Sequence, residues 1–239
     1  MSATPLAPMA ETPAARDGIK GWLARVAHGV LDPVAGAMAA AGVRPDLLTV
    51  LGLVFSVASA LAFFEGGFRW GSLLLAFAGL CDLLDGQVAR RTGPGTRFGA
   101  FLDSTLDRFG EGLVLSGIAG FYISGLVDLA LDPSLVFAQV ARGLEPRTWA
   151  AVALAAVLAL VMSFMVSYTR ARAEGLGIAC RVGWFERPER LVLLMLAGLF
   201  GVGPVMPAAL LLLVILSFST AAQRVAHVWK STRAAGRDS

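Results

Sequence analysis

Four carboxylates lie where a soluble surface is not expected. Asp82, Asp85, Asp103 and Asp107 fall within DLLDGQVARRTGPGTRFGAFLDSTLD, with GSLLLAFAGLC before it and GEGLVLSGIAGF after it. A charge at membrane depth costs roughly 2.5–3.5 kcal/mol on insertion scales, so four of them in apolar sequence require a partner. Asp82 and Asp85 are three residues apart and Asp103 and Asp107 are four apart, which puts each pair on one helix face. The intervening RTGPGTRF is rich in Gly and Pro and reverses the chain. An antiparallel hairpin about Pro94–Gly95 sets Asp85 level with Asp103 and Asp82 level with Asp107. Carboxylates gathered this way repel one another unless they are protonated or hold cations. Hard oxygen donors suit Mg²⁺, Mn²⁺ or Ca²⁺ rather than zinc, and four of them can hold a two-metal site of the kind used in phosphoryl transfer.

The elements that position these residues are read from composition. Of 239 residues 56% are hydrophobic and 15% charged, and mean hydropathy is +0.71, which indicates an all-α, polytopic integral membrane protein. Met1–Asp17 is Ala/Pro/Thr-rich, has no apolar core of a signal peptide, and is expected to be a disordered tail. Residues 18–42 read as a juxtamembrane segment. Ile19, Trp22, Leu23, Val26 and Val30 form one helical face opposite Lys20, Arg25 and His28, which describes an interfacial amphipathic helix. Asp32-Pro33 reads as an N-cap and N1 pair that restarts a short helix ending at Gly42. Six apolar stretches then make up a domain over 43–230, near Leu47–Glu65, Gly71–Arg90, Gly99–Leu126, Trp149–Glu174, Glu189–Val202 and Pro204–Val228, followed by a C-terminal tail over 231–239. The fifth stretch is short.

Lys and Arg are distributed unevenly between the two sides of such a bundle. Arg16, Lys20, Arg25, Arg44, Arg90, Arg91, Arg97, Arg170, Arg172, Arg181, Arg187, Arg190, Arg224, Lys230, Arg233 and Arg237 gather on one side, with Arg69, Arg142 and Arg147 on the other. The positive-inside rule therefore places both termini and the aspartate turn in the cytoplasm. Asp82 and Asp107 lie roughly 19 Å along their helices from the turn centre, so the site is reached by water from the cytoplasmic side. That depth suits a donor with a lipid tail and a water-soluble head. Cys81 and Cys180 have no metal-like spacing and read as packing residues. Nothing in the chain reads as a nucleic-acid-binding module.

The pattern Asp82-x2-Asp85-Gly86-x2-Ala89-Arg90-x8-Gly99-x3-Asp103-x3-Asp107 resembles, at each of its eight fixed positions, the signature of the CDP-alcohol phosphotransferases, membrane enzymes of phospholipid synthesis. The resemblance implies a donor, CDP-diacylglycerol, whose β-phosphorus is attacked by an alcohol while CMP leaves. It implies that Asp82, Asp85 and Asp103 ligate two ions, Mg²⁺ or Mn²⁺. Asp107 is then the general base, close to the second metal. Gly86 removes a side chain beside the metals so that nucleotide approaches the backbone closely. Arg90 offers a planar fork to phosphate or cytosine. Ala89 belongs to the same signature, and Thr96 lies in the turn where relatives contact nucleotide. Pro45, Asp46, Leu47, Leu48 and Thr49 resemble the other nucleotide-contacting segment; read on its own, that stretch is a helix start capped by Asp46, with Thr49 packed. Glu111, four residues past Asp107, either supports the site or faces the same polar interior.

SYTRARAEGLG, GWFERPERLVL and AAQRVAHVW resemble blocks of the bacterial phosphatidylinositol phosphate synthase branch of that family. That resemblance implies that Arg170, Arg190 and Arg224 bind the phosphate of a phosphorylated polyol acceptor, inositol 1-phosphate, with Arg170 standing where relatives carry Lys. It also implies a homodimer in the inner (plasma) membrane. Asp128–Arg147 makes an external loop longer than the branch leads one to expect. The alternative within the family is a phosphatidylglycerophosphate synthase or another CDP-alcohol phosphatidyltransferase. A cation transporter also carries intramembrane aspartates, but it gives no use for Gly86, Ala89, Arg90 and Gly99.

Overall fold

The computed structural model describes residues 19–93, 96–132, 134–141 and 145–235. The expected tail over 1–17, the Pro94–Gly95 turn, Arg142 and the last residues of the C-terminal segment lie outside them. So do the side chains of the expected amphipathic face from Ile19 to Val26. The described chain is helical: α1 (Ile19–Ala40), α2 (Pro45–Phe64), α3 (Phe68–Thr92), α4 (Arg97–Leu131), α5 (Ser134–Ala141), α6 (Pro146–Gly175), α7 (Arg187–Leu199) and α8 (Val205–Ala235).

Five of these, α2, α3, α4, α6 and α8, are long and apolar enough to cross a membrane, and the chain is a multi-pass membrane protein. The expected fifth span is the exception. α7 has 13 residues, about 20 Å of helix; it starts at Arg187, two residues before the expected Glu189, and stops at Leu199, and Gly201, with φ +77°, turns the chain soon after it ends. α4 and α8 run beyond their expected ends, and α8 continues to Ala235 past the boundary expected at 230. α5 sits inside the expected external loop.

One sequence expectation is overturned. Asp32 and Pro33 do not restart a helix, since α1 is continuous through Pro33. Asp32 instead pairs with Arg91 at 2.5 Å, across the contact that α1 makes with α3.

The helices pack in a closed ring, α2 on α3, α3 on α7, α7 on α8, α8 on α6, α6 on α4 and α4 back on α2, with α1 laid against α3 and α5 against α4. Large apolar side chains point outward along it, among them Val54, Phe77, Phe101, Ile123, Leu154, Ile215 and Phe218, as lipid contact demands. One end of the interior is filled by aromatic rings: Phe68 meets Phe63, Phe121 and Tyr122, and Trp149 meets Phe121 and Tyr122. Glycine allows α2 and α4 to approach closely, since a Cβ on Gly117 would run into the carbonyl oxygen of Ala60. The opposite end, where α2, α4 and α7 begin and α3 and α6 finish, keeps its polar residues.

Candidate active site

The C-terminal part of α3 carries Asp82 and Asp85, and the N-terminal part of α4 carries Asp103 and Asp107. Thr96 begins α4 as its N-cap, its hydroxyl oxygen accepting the Gly99 N–H at 2.9 Å. Gly99 is needed there because an added Cβ would lie 3.0 Å from Thr96 Oγ1 and 3.2 Å from Asp46 Oδ1. The expected convergence occurs in a narrower form. One carboxylate oxygen from each of Asp82, Asp85 and Asp103 lies within 4.8 Å of the others. Asp107 joins through an ion pair with Arg187, whose Nη1 lies 2.7 Å from Asp107 Oδ1 and 3.1 Å from Asp82 Oδ2.

Asp85 is buried and accepts a 2.8 Å hydrogen bond from Thr49 Oγ1. Asp103 Oδ1 is buried without a hydrogen-bond partner. Three carboxylates at such separations, one with an oxygen that no protein donor satisfies, fit a hard divalent cation. A cavity of about 10 Å³ continues from the site between Thr49, Gly52, Ser56 and Leu106, room for one water at most.

The residues expected to contact nucleotide divide. Pro45 opens α2 at its first turn, but the N-cap position belongs to Arg44 and Asp46 does not cap. The Asp46 carboxylate lies beside Gly99 instead. Thr49 faces the aspartates. Leu47 is exposed, and Leu48 packs with Leu84, Val88 and Ala35, so neither leucine side chain reaches the cluster. Arg90 is exposed at the end of α3 with its guanidinium close over Gly86, and Ala89 is half-buried next to it.

The arginine trio also divides. Arg170 and Arg224 converge on one oxygen, Glu186 Oε1, at 3.6 and 3.1 Å. Arg224 further donates to the carbonyls of Val182 and Val166, and Arg170 to Glu174 at 3.0 Å. Arg190 is held apart from them. Fully buried, it grips Glu111 through Nε at 2.5 Å and Nη2 at 2.8 Å, which leaves Nη1 buried and unpartnered. Glu111 is thus the counter-ion of Arg190 and braces α4 to α7.

Arg187 is the site residue that sequence reasoning left among the general basic residues. A signal was present: Arg187 and Arg190 are three apart and share a helix face, so if one turns inward toward acidic residues the other does too.

The family model for CDP-alcohol phosphatidyltransferases matches residues 43–221. The archaetidylinositol phosphate synthase of Methanothermobacter thermautotrophicus is 36% identical over 203 residues, covering 84% of this chain and 89% of the relative. The phosphatidylinositol phosphate synthase of Mycolicibacterium smegmatis is 38% identical over 200 residues, 81% of each. The crystal structure of the Mycobacterium tuberculosis phosphatidylinositol phosphate synthase with CDP-DAG bound superposes with a TM-score of 0.65 at 34% identity, covering 82% of this chain and 92% of that one. Its complex with manganese and citrate gives 0.66, over 82% and 88%.

Proposed function

Given that the chain belongs to the CDP-alcohol phosphatidyltransferase family, we propose that its acceptor is a phosphorylated polyol, inositol 1-phosphate, and that the product is phosphatidylinositol phosphate. The enzyme is a phosphotransferase of phospholipid synthesis, moving the phosphatidyl group of CDP-diacylglycerol to an alcohol with release of CMP. One observation supports a phosphorylated acceptor: Arg170 and Arg224, from different helices, already hold a single carboxylate oxygen of Glu186, next in sequence to the Arg187 that touches Asp107; the choice of inositol 1-phosphate over glycerol 3-phosphate rests on the similarity to the inositol-phosphate branch. A phosphate entering there would replace that carboxylate and receive charge-assisted hydrogen bonds from both. Arg190 has only Nη1 to add. An uncharged alcohol gives these arginines no use.

Asp82, Asp85 and Asp103 would hold a divalent cation, and the Asp82–Asp107 side a second. Such ions neutralise the pyrophosphate and the charge that develops on the attacking and leaving oxygens. Arg90, Gly86, Ala89, Thr96 and the start of α2 at Pro45 and Asp46 flank the space for the cytidine and its phosphates. Thr49 fixes the orientation of Asp85 by its hydrogen bond. Leu47 and Leu48 contribute only through the backbone and packing. Asp107 takes the proton of the acceptor hydroxyl as that oxygen bonds to the β-phosphorus. The bond from the β-phosphorus to the bridging oxygen then breaks, and its electron pair leaves with CMP.

Topology supports access from the cytoplasm. α2, α3, α4, α6, α7 and α8 alternate in direction, Arg69 and Arg147 open α3 and α6 at the end away from the site, and the remaining spans carry their basic residues at the site end. On this reading α7 acts as a sixth, shortened span in the inner membrane. α1 lies along the interface, both termini are cytoplasmic, and the chain works as a homodimer.

The experiment compares turnover on inositol 1-phosphate, free inositol and glycerol 3-phosphate, read as CMP released from CDP-diacylglycerol. Preference for inositol 1-phosphate is expected. Preference for glycerol 3-phosphate would make the enzyme a phosphatidylglycerophosphate synthase, and preference for free inositol would remove the role given to the arginines.

A further inference from the structure

Two arginines one turn apart on α7 hold carboxylates in different ways. Arg190 grips Glu111 as a fork, through Nε and Nη2, with both side chains almost fully buried. Arg187 is paired differently: Nη1 lies 2.7 Å from Asp107 Oδ1 and 3.1 Å from Asp82 Oδ2, shared between two carboxylates, while its buried Nε makes no hydrogen bond. Its side chain is 20% exposed against 1% for Arg190. An ion pair that leaves Nε unused, at a partly open position, is the one that can be displaced.

The acceptor atoms also differ in what competes for them. Asp103 Oδ1 has no hydrogen-bond donor. Asp82 Oδ2 and Asp107 Oδ1 each already have Arg187. A divalent ion ligated by those two oxygens would sit within a few ångströms of the guanidinium, and two cations that close repel.

We infer that Arg187 is a built-in counter-cation for the Asp82–Asp107 side of the cluster, which a divalent ion seated on that side must displace. The two cation positions therefore fill unequally. The Asp82–Asp85–Asp103 position is taken first, and the second is taken only in competition with Arg187. The inference rests on the divalent-cation reading given above.

The test is Mn²⁺ titration of the full chain in detergent, without substrate, read by the paramagnetic resonance signal of free Mn²⁺. The wild type is expected to show one tight and one weaker class of binding. Arg187→Gln is expected to tighten the weaker class by about tenfold or more, as removal of a neighbouring positive charge does, and to leave the tight class in place. Arg187→Met gives the same readout should the glutamine variant not fold. Arg187→Lys, which keeps the charge, is expected to stay close to wild type. A weaker class that is unchanged or loosened in Arg187→Gln, or that tightens equally in Arg187→Lys, overturns the inference. Asp103→Asn is the separate control: if it leaves Mn²⁺ binding intact, the cation reading itself fails, whatever Arg187 does.

Discussion

Asp103 and Asp107 stand one helical turn apart and meet different surroundings. Asp103 has a buried, unbonded oxygen and clusters with Asp82 and Asp85, whereas Asp107 is paired with Arg187. Asp107→Asn is accordingly expected to lower turnover by two orders of magnitude or more, about what a lost general base costs, while CDP-diacylglycerol binding stays within a few-fold. Parallel loss of donor binding, measured by calorimetry in detergent, would make Asp107 chiefly a ligand. Arg190 and Glu111 call for a different experiment. Removing one partner of a buried pair leaves an uncompensated charge, so Glu111→Gln should destabilise the fold by about 3–5 kcal/mol. The apolar double replacement Glu111→Leu with Arg190→Met should recover most of that loss in thermal unfolding. If Arg190 Nη1 reaches the acceptor phosphate, the double variant keeps an acceptor KM raised about tenfold or more at restored stability. An unchanged KM would make Arg190 a brace alone.

At the scale of helices, the close contact of α2 and α4 at Gly117 holds the two walls on which Thr49 and the α4 aspartates sit. Gly117→Val should force those helices apart and lower the unfolding temperature by several degrees, about 1–3 kcal/mol for overpacking. A Tm equal to wild type would show that the contact yields freely. The long spans were legible because an uncharged apolar run near twenty residues matches the thickness of a bilayer and exceeds what one face of a soluble core helix buries. The paired aspartates were legible because i, i+3 and i, i+4 spacing defines a face whatever the helix packs against. Two features were not. Asp32-Pro33 carries a helix-start signal, yet α1 runs on through it with Asp32 paired to Arg91, and a pairing across 59 residues leaves no local trace. Asp46 carries a capping signal, but the helix begins two residues too early for it to cap. The fifth stretch was legible as short, and α7 is bounded by a reciprocal cap between Glu186 and Glu189 and by a turn at Gly201.

At the scale of the whole molecule, the ring of six helices is plugged with aromatic residues at one end and opens on carboxylates and arginines at the other. Among the described residues, the polar end is the entrance that the candidate site offers. With the entrance in the cytoplasm, a cysteine placed at Ser134 is expected to react with an impermeant reagent added to intact cells, and one placed at Thr232 is not. The opposite pattern would invert the topology and the direction from which the acceptor enters. The division of the arginine trio was beyond the sequence, since charge and spacing place all three at one end without saying which carboxylate each one meets. The central claim is that phosphatidyl transfer takes place at the aspartate cluster, and it is tested most directly by CMP release. Purified protein is supplied with CDP-diacylglycerol, inositol 1-phosphate and Mg²⁺, alongside the same mixture with chelator and the same mixture with Asp103→Asn protein. The expected result is CMP formation that requires both acceptor and metal and falls by about a thousandfold or more in Asp103→Asn. Undiminished CMP release in chelator, or from a folded Asp103→Asn protein, would contradict it.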